Sequence, residues 1–217
     1  MNLEQARFNM VEQQIRTWEV LNQDVLDLLF EVKREEFLPE RSRALAFVDM
    51  AVPIGFGEFT LPPKLEARIV QELSLKKSDL VLEIGSGCGY MTALLAKSTA
   101  HVTSIELIPE LSAFAEKNLR NHGIDNMTLI VGDAAQGWPS TQPFDVIVLT
   151  GSTPALPETF IQSLTPSGRL FAIVGEEPIM KALLISRSAQ GGIERHELFE
   201  TCVPSLKNAL QRQQFVF

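Results

Sequence analysis

Three glycines stand at every second position in one short stretch of the sequence, LEIGSGCGYMTALLA at residues 82–96. Gly85, Gly87 and Gly89 follow an apolar run of strand length and precede a segment with helical spacing. Glycines at a strand-to-helix turn let the backbone approach a ligand closely, as in the nucleotide-binding loops of open α/β sheets. A tight turn without a ligand would use the same residues. The meaning of the glycines therefore depends on what stands near them.

Two acids follow the next apolar runs along the chain. Glu106 ends the second run, 21 positions after Gly85, close to the spacing of about 20 at which an acid accepts hydrogen bonds from ribose hydroxyls. Asp133 ends the third run, between Gly132 and Ala134. Glu106 could instead begin a helix, and Asp133 could be a turn residue. Since these features fall at successive strand ends, we expect them to form one ligand site.

The glycine spacing and a preceding acid bear on the identity of the ligand. A dinucleotide loop has the pattern G-x-G-x-x-G, whereas this loop has G-x-G-x-G with Glu83 two residues before it. A carboxylate next to a pyrophosphate is unfavourable, but one next to a cationic sulfonium is stabilising. Glu83 could equally fix the glycine loop without meeting a ligand. The pattern favours S-adenosylmethionine over NAD.

Apolar runs of strand length alternate with helical patterns from Leu80 onward, and these elements must position the site. The predicted strands are 80–84, 101–106, 127–132, 144–150 and 168–175. The predicted helices are 64–75, 90–98, 109–123 and 156–164. Near-continuous apolar strands separated by helices are typical of a parallel sheet covered on both faces. The sequence therefore predicts an α/β fold with a doubly wound, mostly parallel sheet and an N-terminal helical extension.

The N-terminal part has a different pattern. Residues 4–38 carry apolar side chains at helical spacing, with Asn22 as a candidate cap for the second helix. Residues 51–63, AVPIGFGEFTLPP, are rich in glycine and proline and predict an irregular surface loop. A loop of this length often carries function.

The chain of 217 residues is long enough for one large domain. We expect a single domain over residues 1–217, in which residues 1–63 supply helices and an active-site loop. Residues 64–217 then form the cofactor-binding core with C-terminal strands. Within that core, residues 205–217 could form an edge strand or a contact with a partner, and the edge strand is the favoured interpretation.

Composition excludes several classes of protein. An apolar fraction of 45% and a charged fraction of 21% are those of a globular chain. The net charge of −8 disfavours nucleic acid and anionic membranes as partners. No apolar run approaches the roughly 18 residues of a membrane helix, and no signal core is present, so we expect a cytoplasmic protein. Two cysteines and three histidines without ligand spacing predict no metal site.

Longer segments carry a resemblance that covers nearly the whole chain. In order along the sequence they are MVEQQIR, VKREEFLPE, VDMAVPIGFGEFTLPP, VLEIGSGCGYMTALLA, GDAAQGW, FDVIVLTGSTPALPETFIQSLTPSGRLFAIVG and CVPSL. In these segments the chain resembles the protein-L-isoaspartate O-methyltransferase family, which has the Rossmann-like fold of class I methyltransferases. The resemblance implies binding of S-adenosylmethionine and methylation of the free α-carboxylate of isoaspartyl residues in damaged proteins. That methylation starts a repair cycle through a succinimide.

The strand-end pattern and the resemblance together predict the site. The predicted cofactor-binding residues are Glu83, Gly85, Ser86, Gly87, Gly89, Glu106, Leu107, Asp133, Ala134 and Thr150. The acceptor carboxylate is already ionised at neutral pH, since its reference pKa is about 4, so no general base is required. We accordingly predict that His101, His122 and His196 are structural or surface residues and not catalysts.

The resemblance departs in the loop at residues 55–63, where the family usually has G-x-G-Q-T-I-S-x-P. Here Glu58 stands at the glutamine position and Leu61 at the serine position, without the hydroxyl that relatives use. We predict Thr60 and Glu58 as the catalytic residues, although an extended chain turns neighbouring side chains to opposite sides. Three hypotheses stay open: isoaspartyl repair, methylation of another acceptor with Glu58 as a base or a partner for a cation, and cofactor binding without catalysis. An NAD oxidoreductase is a distant fourth.

Overall fold

A computed structural model describes residues 2–212. The α-helices are α1 (Leu3–Met10), α2 (Gln23–Glu31), α3 (Arg34–Phe37), α4 (Pro63–Leu73), α5 (Tyr90–Ser98), α6 (Pro109–Asn121) and α7 (Glu158–Gln162). The strands are β1 (Pro53–Gly55), β2 (Glu58–Phe59), β3 (Leu80–Ile84), β4 (His101–Glu106), β5 (Met127–Val131), β6 (Phe144–Thr153), β7 (Leu164–Glu176), β8 (Ile179–Arg187) and β9 (Ile193–Thr201). Within residues 2–212, no helix combines the length and apolar character needed to cross a membrane.

Seven strands form one sheet in the order β5-β4-β3-β6-β7-β8-β9. Neighbouring strands from β5 to β7 are parallel, whereas β8 runs antiparallel to both β7 and β9. The chain builds β3, β4 and β5 outward in one direction and then returns to place β6 on the other side of β3. This order creates a topological switch point between the carboxyl ends of β3 and β6, where open α/β sheets bind ligands. The predicted doubly wound, mostly parallel fold is confirmed.

Alternate side chains of the central strands face two different hydrophobic cores. Val81 and Val148 pack in the core that also holds the N-terminal helices, α4 and α5. Leu82 and Leu149 pack in the opposite core, with Phe160 of α7. Because side chains alternate across a strand and both faces are covered, most positions of β3 and the stretch 146–149 of β6 are apolar. This burial on both faces explains the continuous apolar runs in the sequence.

The N-terminal helical pattern is divided into shorter pieces. After α1, the chain continues through a π-helical segment (Val11–Ile15) and a 3₁₀ segment (Arg16–Trp18). This helical stretch ends at Glu19, which has a φ angle of 62°. The predicted cap of α2 is confirmed, because Asn22 Oδ1 accepts a hydrogen bond from the Asp24 N–H at 2.9 Å. The left-handed residue Glu19 and the new cap at Asn22 separate the two predicted helical stretches.

The prediction of an irregular loop over residues 51–63 is wrong in part. Strands β1 and β2 pair as a small antiparallel hairpin, which we call the rim hairpin. Its turn uses positive φ angles at Gly55, Phe56 and Gly57. The Thr60 N–H donates to the Val52 carbonyl at 2.9 Å and continues the pairing. Strands of three and two residues are too short for an alternating pattern to be visible in the sequence.

The sequence predicted C-terminal strands without giving their bounds, and the structure has two of them, β8 and β9. The further prediction of an edge strand over residues 205–217 is wrong for residues 205–212, where the chain makes only one isolated bridge, from Ser205 to Ser152. Residues 213–217 lie outside the described residues. The edges of the sheet are instead β5 and β9.

Residues 204–210 cross the carboxyl end of β6, and we call them the C-terminal strap. The Leu206 N–H donates to the Ser152 carbonyl at 2.9 Å, and the Ser152 N–H donates to the Pro204 carbonyl at 3.0 Å. Pro204 has no N–H to donate, and Asn208 has φ of 62°. Both features stop a ladder from continuing, which is the physical reason that the strap is not a strand.

Candidate active site

The glycine loop lies at the carboxyl end of β3, at the switch point of the sheet. Gly85 has φ of 95°, and its N–H donates to the Ile105 carbonyl at 2.8 Å. On the opposite side, the Thr150 hydroxyl lies 2.8 Å from the carbonyl oxygens of both Ile84 and Gly85. A Cβ atom at residue 85 would collide with that hydroxyl. The local geometry therefore requires glycine at residue 85 for both backbone conformation and space.

Glu106 joins the glycine loop to the next strand end. Its Oε2 accepts the Gly87 N–H at 2.9 Å, and its Oε1 accepts the Ile108 N–H at 3.0 Å. Only 6% of the residue is exposed, and it lines the cavity beside the loop. The Ser86 hydroxyl also lies 3.5 Å from Oε2. A carboxylate has about four acceptor positions, so Glu106 keeps capacity for a further donor such as a ribose hydroxyl. The helix-start and ligand-binding interpretations of Glu106 are thus compatible with each other.

Glu83 lies underneath the glycine loop and away from the cavity wall. Its side chain is fully buried, and its Oε2 accepts the Thr92 hydroxyl of α5 at 2.5 Å. Burial raises the pKa of Glu83 to about 7, against the opposing effect of the Thr92 hydrogen bond. This placement favours the alternative in which Glu83 fixes the loop against α5. It also weakens the argument that its charge would repel a pyrophosphate.

Ser86 and Gly89 also lie behind the cavity wall. The Gly89 N–H donates to the Ser86 carbonyl at 2.8 Å and closes the turn into α5. A Cβ atom at Gly89 would lie 3.2 Å from the backbone of Ala115 in α6. These two residues thus shape the loop and its packing against the helices.

Asp133 stands after β5 at the far end of the same edge. Its Oδ1 accepts the Ala135 N–H at 3.1 Å, and its Oδ2 accepts the Asn208 side-chain amide at 2.7 Å. Ala134 and Leu107 form adjacent parts of the cavity wall. The C-terminal strap therefore contacts one of the acids that the sequence predicts for the site.

One cavity connects these strand ends with the rim hairpin and the strap. Most of the predicted residues line it: Glu58, Thr60, Gly85, Gly87, Glu106, Leu107, Asp133, Ala134 and Thr150. The predicted site residues did not include the apolar walls from the rim and the helices, or any residue of the strap. These additional lining residues include Ile54, Phe59, Leu61, Ile108, Leu111, Ser205, Leu206 and Lys207. The CVPSL segment, which belongs to the resemblance, was the available signal for the strap.

A buried ion pair holds the polypeptide that follows the rim hairpin. The Arg34 guanidinium, which is 1% exposed, donates from Nε to Glu66 Oε2 at 2.8 Å. Its Nη2 donates to the Thr60 hydroxyl and to the Leu61 carbonyl, each at 2.8 Å. The Thr60 hydroxyl also accepts the Val52 N–H at 3.1 Å. Thr60 thus lines the cavity with its hydroxyl already bonded to the scaffold, and its catalytic role stays a prediction.

Glu58 forms an ion pair across the mouth of the cavity. Its Oε1 lies 2.5 Å from Nζ of Lys207 in the C-terminal strap. The cavity wall also carries the acids Glu106 and Asp133, and Lys207 is the cationic side chain among its described lining residues. The wall is therefore negative overall, which suits a ligand with a positive centre.

The parallel sheet, the glycine loop at its switch point and the covering N-terminal helices define a Rossmann-like fold of the class I methyltransferase type. A structure titled as a putative protein-L-isoaspartate O-methyltransferase from Plasmodium falciparum, in complex with S-adenosyl-L-homocysteine, superposes with a TM-score of 0.77. That likeness covers 95% of this chain and 99% of the other at 24% identity. Residues 5–208 match the protein-L-isoaspartate(D-aspartate) O-methyltransferase family, and the chain belongs to that family.

Individual relatives agree with this assignment. The protein-L-isoaspartate O-methyltransferase of Methanoculleus marisnigri is 38% identical over 169 residues, which cover 78% of this chain and 77% of the relative. The enzyme of the same name from Ignicoccus hospitalis is 32% identical over 209 residues, covering 94% of this chain and 99% of the relative. The likeness to this family therefore extends over both the glycine-loop region and the N-terminal helices.

Proposed function

We propose that this protein transfers a methyl group from S-adenosylmethionine to the free α-carboxylate of L-isoaspartyl residues in damaged proteins. The observation that carries this proposal is the single cavity in which the glycine loop faces the rim hairpin. A donor held at the switch point would present its reactive end toward an acceptor that enters under the hairpin. Membership of the family supplies the acceptor class.

The residues of the cavity fit the donor. Glu106 retains acceptor capacity for a ribose hydroxyl, and Asp133 retains it for an amine donor on the adenine. Leu107, Ile108 and Leu111 provide apolar wall for the adenine ring. When bound, S-adenosylmethionine supplies a methyl group activated by a positively charged sulfonium. The negative wall of the cavity favours that charge.

The acceptor side of the cavity has no need of a base. An isoaspartyl carboxylate is ionised at neutral pH, so the residues of the chain need only align it and exclude water. His101 bonds to Thr128, His122 bonds to Glu36, and neither histidine lines the cavity. His196 lies on β9, also outside the cavity lining. Exclusion of water falls to apolar rim residues such as Phe59 and Leu61.

We further propose that residues 1–217 form one domain that acts in the cytoplasm on protein or peptide substrates. The N-terminal helices and the central sheet share one hydrophobic core, which supports a single folding unit. Methylation of a different acceptor is the second candidate. Two residues favour it: Leu61, which stands where the family usually has a serine, and the acid Glu58 at the cavity mouth.

The deciding experiment is transfer of a radiolabelled methyl group to an isoaspartyl peptide, with the normal aspartyl peptide of the same sequence as control. We expect labelling of the isoaspartyl peptide alone. Equal background labelling of the two peptides would reject the repair activity. Calorimetric titration with S-adenosylhomocysteine and with NAD tests the cofactor separately, and we expect heat only from S-adenosylhomocysteine.

A further inference from the structure

Lys207 stands in the cavity wall opposite a set of acids. Glu58, Glu106 and Asp133 line the same cavity, and across residues 2–212 no other lysine or arginine does. Under the proposed function, two carboxylates must enter: that of the acceptor and that of the amino-acid end of the donor. An anion in an acid-lined cavity requires a cation or strong hydrogen-bond donors. Lys207 is the side chain that can supply the cation.

The backbone around Lys207 is fixed while its charged end is half exposed. On one side, Leu206 pairs with Ser152 and packs so closely that a Cβ atom at Gly151 would lie 2.9 Å from the Leu206 side chain. On the other side, Asn208 bonds to Asp133 at 2.7 Å. The Lys207 side chain itself is 50% exposed. The backbone at Lys207 is therefore held in place, while its side chain can exchange one charged partner for another.

The present partner of Lys207 is a carboxylate that belongs to the rim hairpin. Its ammonium group lies 2.5 Å from Glu58 Oε1, in a contact that joins the hairpin to the strap. A lysine that reaches the hairpin lies on the acceptor side of the cavity, whereas the glycine loop and Glu106 lie on the donor side. In the free protein the paired acid adds no net charge at the mouth of the cavity, and its side chain, which is 30% exposed, can turn to solvent when an anion takes its partner.

We propose that Lys207 binds the α-carboxylate of the acceptor and that Glu58 holds this position until the acceptor displaces it. The inference rests on the proposed function and adds a residue that selects for the charge of the acceptor. Lys207 then replaces, by an ion pair, the hydrogen bond that Leu61 cannot make. Because the pair is partly exposed, its effect on binding is moderate and decreases with added salt.

The test compares two ligands on protein saturated with S-adenosylhomocysteine. The ligands are an isoaspartyl hexapeptide with a free α-carboxylate and its α-carboxamide twin, and calorimetry gives both dissociation constants. We expect the wild-type protein to prefer the carboxylate about threefold to fivefold, as for a charge-assisted contact that is partly exposed. Lys207→Met should reduce the preference to about onefold to twofold, and Lys207→Arg should retain most of it. Glu58→Gln should tighten binding of the carboxylate peptide about threefold.

Lys181→Met provides the matched control. Lys181 forms a surface ion pair with Glu197 at 2.7 Å on β8 and β9, outside the cavity lining, and its loss should leave the preference unchanged. An unchanged preference in Lys207→Met, with methyl transfer intact in the wild-type protein, would overturn this inference alone. Weaker binding of S-adenosylhomocysteine by Lys207→Met with an unchanged peptide preference would assign the lysine to the donor and also overturn it. Absence of methyl transfer to the isoaspartyl peptide by the wild-type protein would instead reject the proposed function.

Discussion

Under the proposed function, the cavity has a donor half, formed by the glycine loop, Glu106 and Asp133, and an acceptor half, formed by the rim hairpin and the C-terminal strap. The two halves are built in different ways. On the donor side, backbone groups of consecutive strand ends form the wall, and Glu106 bonds to the N–H groups of Gly87 and Ile108. At the acceptor half, Lys207 and Glu58 meet from distant segments, and behind it Arg34 meets Glu66 in a buried pair. A backbone site follows from the topology of the sheet, whereas a side-chain site follows from individual residues. The acceptor half can therefore change its chemistry while the donor half stays the same.

The largest effect should come from breaking the buried ion pair behind the acceptor half. Arg34→Met leaves Glu66 buried without its charged partner, and we expect a loss of about 3–5 kcal/mol in the free energy of unfolding. Urea denaturation monitored by circular dichroism measures this loss. Arg120→Met is the control, because its ion pair with Glu116 is exposed and contributes at most about 0.5 kcal/mol. Similar losses in both variants would show that the buried pair is not the anchor of this half.

The donor half should respond to pH through Glu83. Its pKa is about 7 in the folded protein, against 4.5 for a glutamate side chain in water, so the folded state binds the extra proton. Stability from this group is therefore lost as pH rises from about 4.5 through 7. Glu83→Gln removes the cost of ionising a buried carboxyl group. We expect the advantage of the variant over wild type in the free energy of unfolding to grow by up to about 3 kcal/mol as pH rises from 5 to 8.

Urea denaturation of both proteins at pH 5 and pH 8 checks the prediction for Glu83. The exposed Glu197→Gln serves as a control whose effect should be small and independent of pH in this range. If wild type and Glu83→Gln lose stability in parallel as pH rises, Glu83 does not carry the effect.

The glycine loop offers a direct test of the donor half. Gly85→Ala adds a Cβ atom that collides with the Thr150 hydroxyl at a residue with φ of 95°. We expect the dissociation constant for S-adenosylhomocysteine, measured by calorimetry, to rise at least about a hundredfold, or about 2.7 kcal/mol. Gly123→Ala is a matched control, since Gly123 also has positive φ but a Cβ atom there meets nothing within 4 Å. Equal affinities of the two variants would show that the loop tolerates the added atom.

The smallest effect should come from the contact between the two halves. Asn208→Ala removes the hydrogen bond to Asp133, which is exposed to solvent, so we expect about a threefold weaker binding of S-adenosylhomocysteine. Gln211→Ala, directly after the strap, loses only a local bond to the Ala209 carbonyl and serves as control. A larger loss of affinity for S-adenosylhomocysteine in Asn208→Ala than in Gly85→Ala would show that the strap, and not the glycine loop, makes the main contact with the donor.

Much of the donor half could be predicted from the sequence. Apolar runs gave the central strands, and strand ends in a parallel sheet must share one edge, so Gly85, Glu106 and Asp133 were expected together. The burial of Glu83 could not be predicted, because alternation places a strand residue on a face without saying what covers that face. The rim hairpin was missed because its strands are too short to show a period.

The sequence by itself determined the class of fold, the position of the glycine loop and the family, because these depend on local patterns and on residues in a fixed order. Only the tertiary structure decided which side chains meet across the cavity. Lys207 and Glu58 are 149 positions apart, and their ion pair exists because the strap crosses the end of β6 and reaches the rim hairpin. Contacts of this kind follow from how loops pack on the sheet, and no local pattern in the sequence encodes that packing.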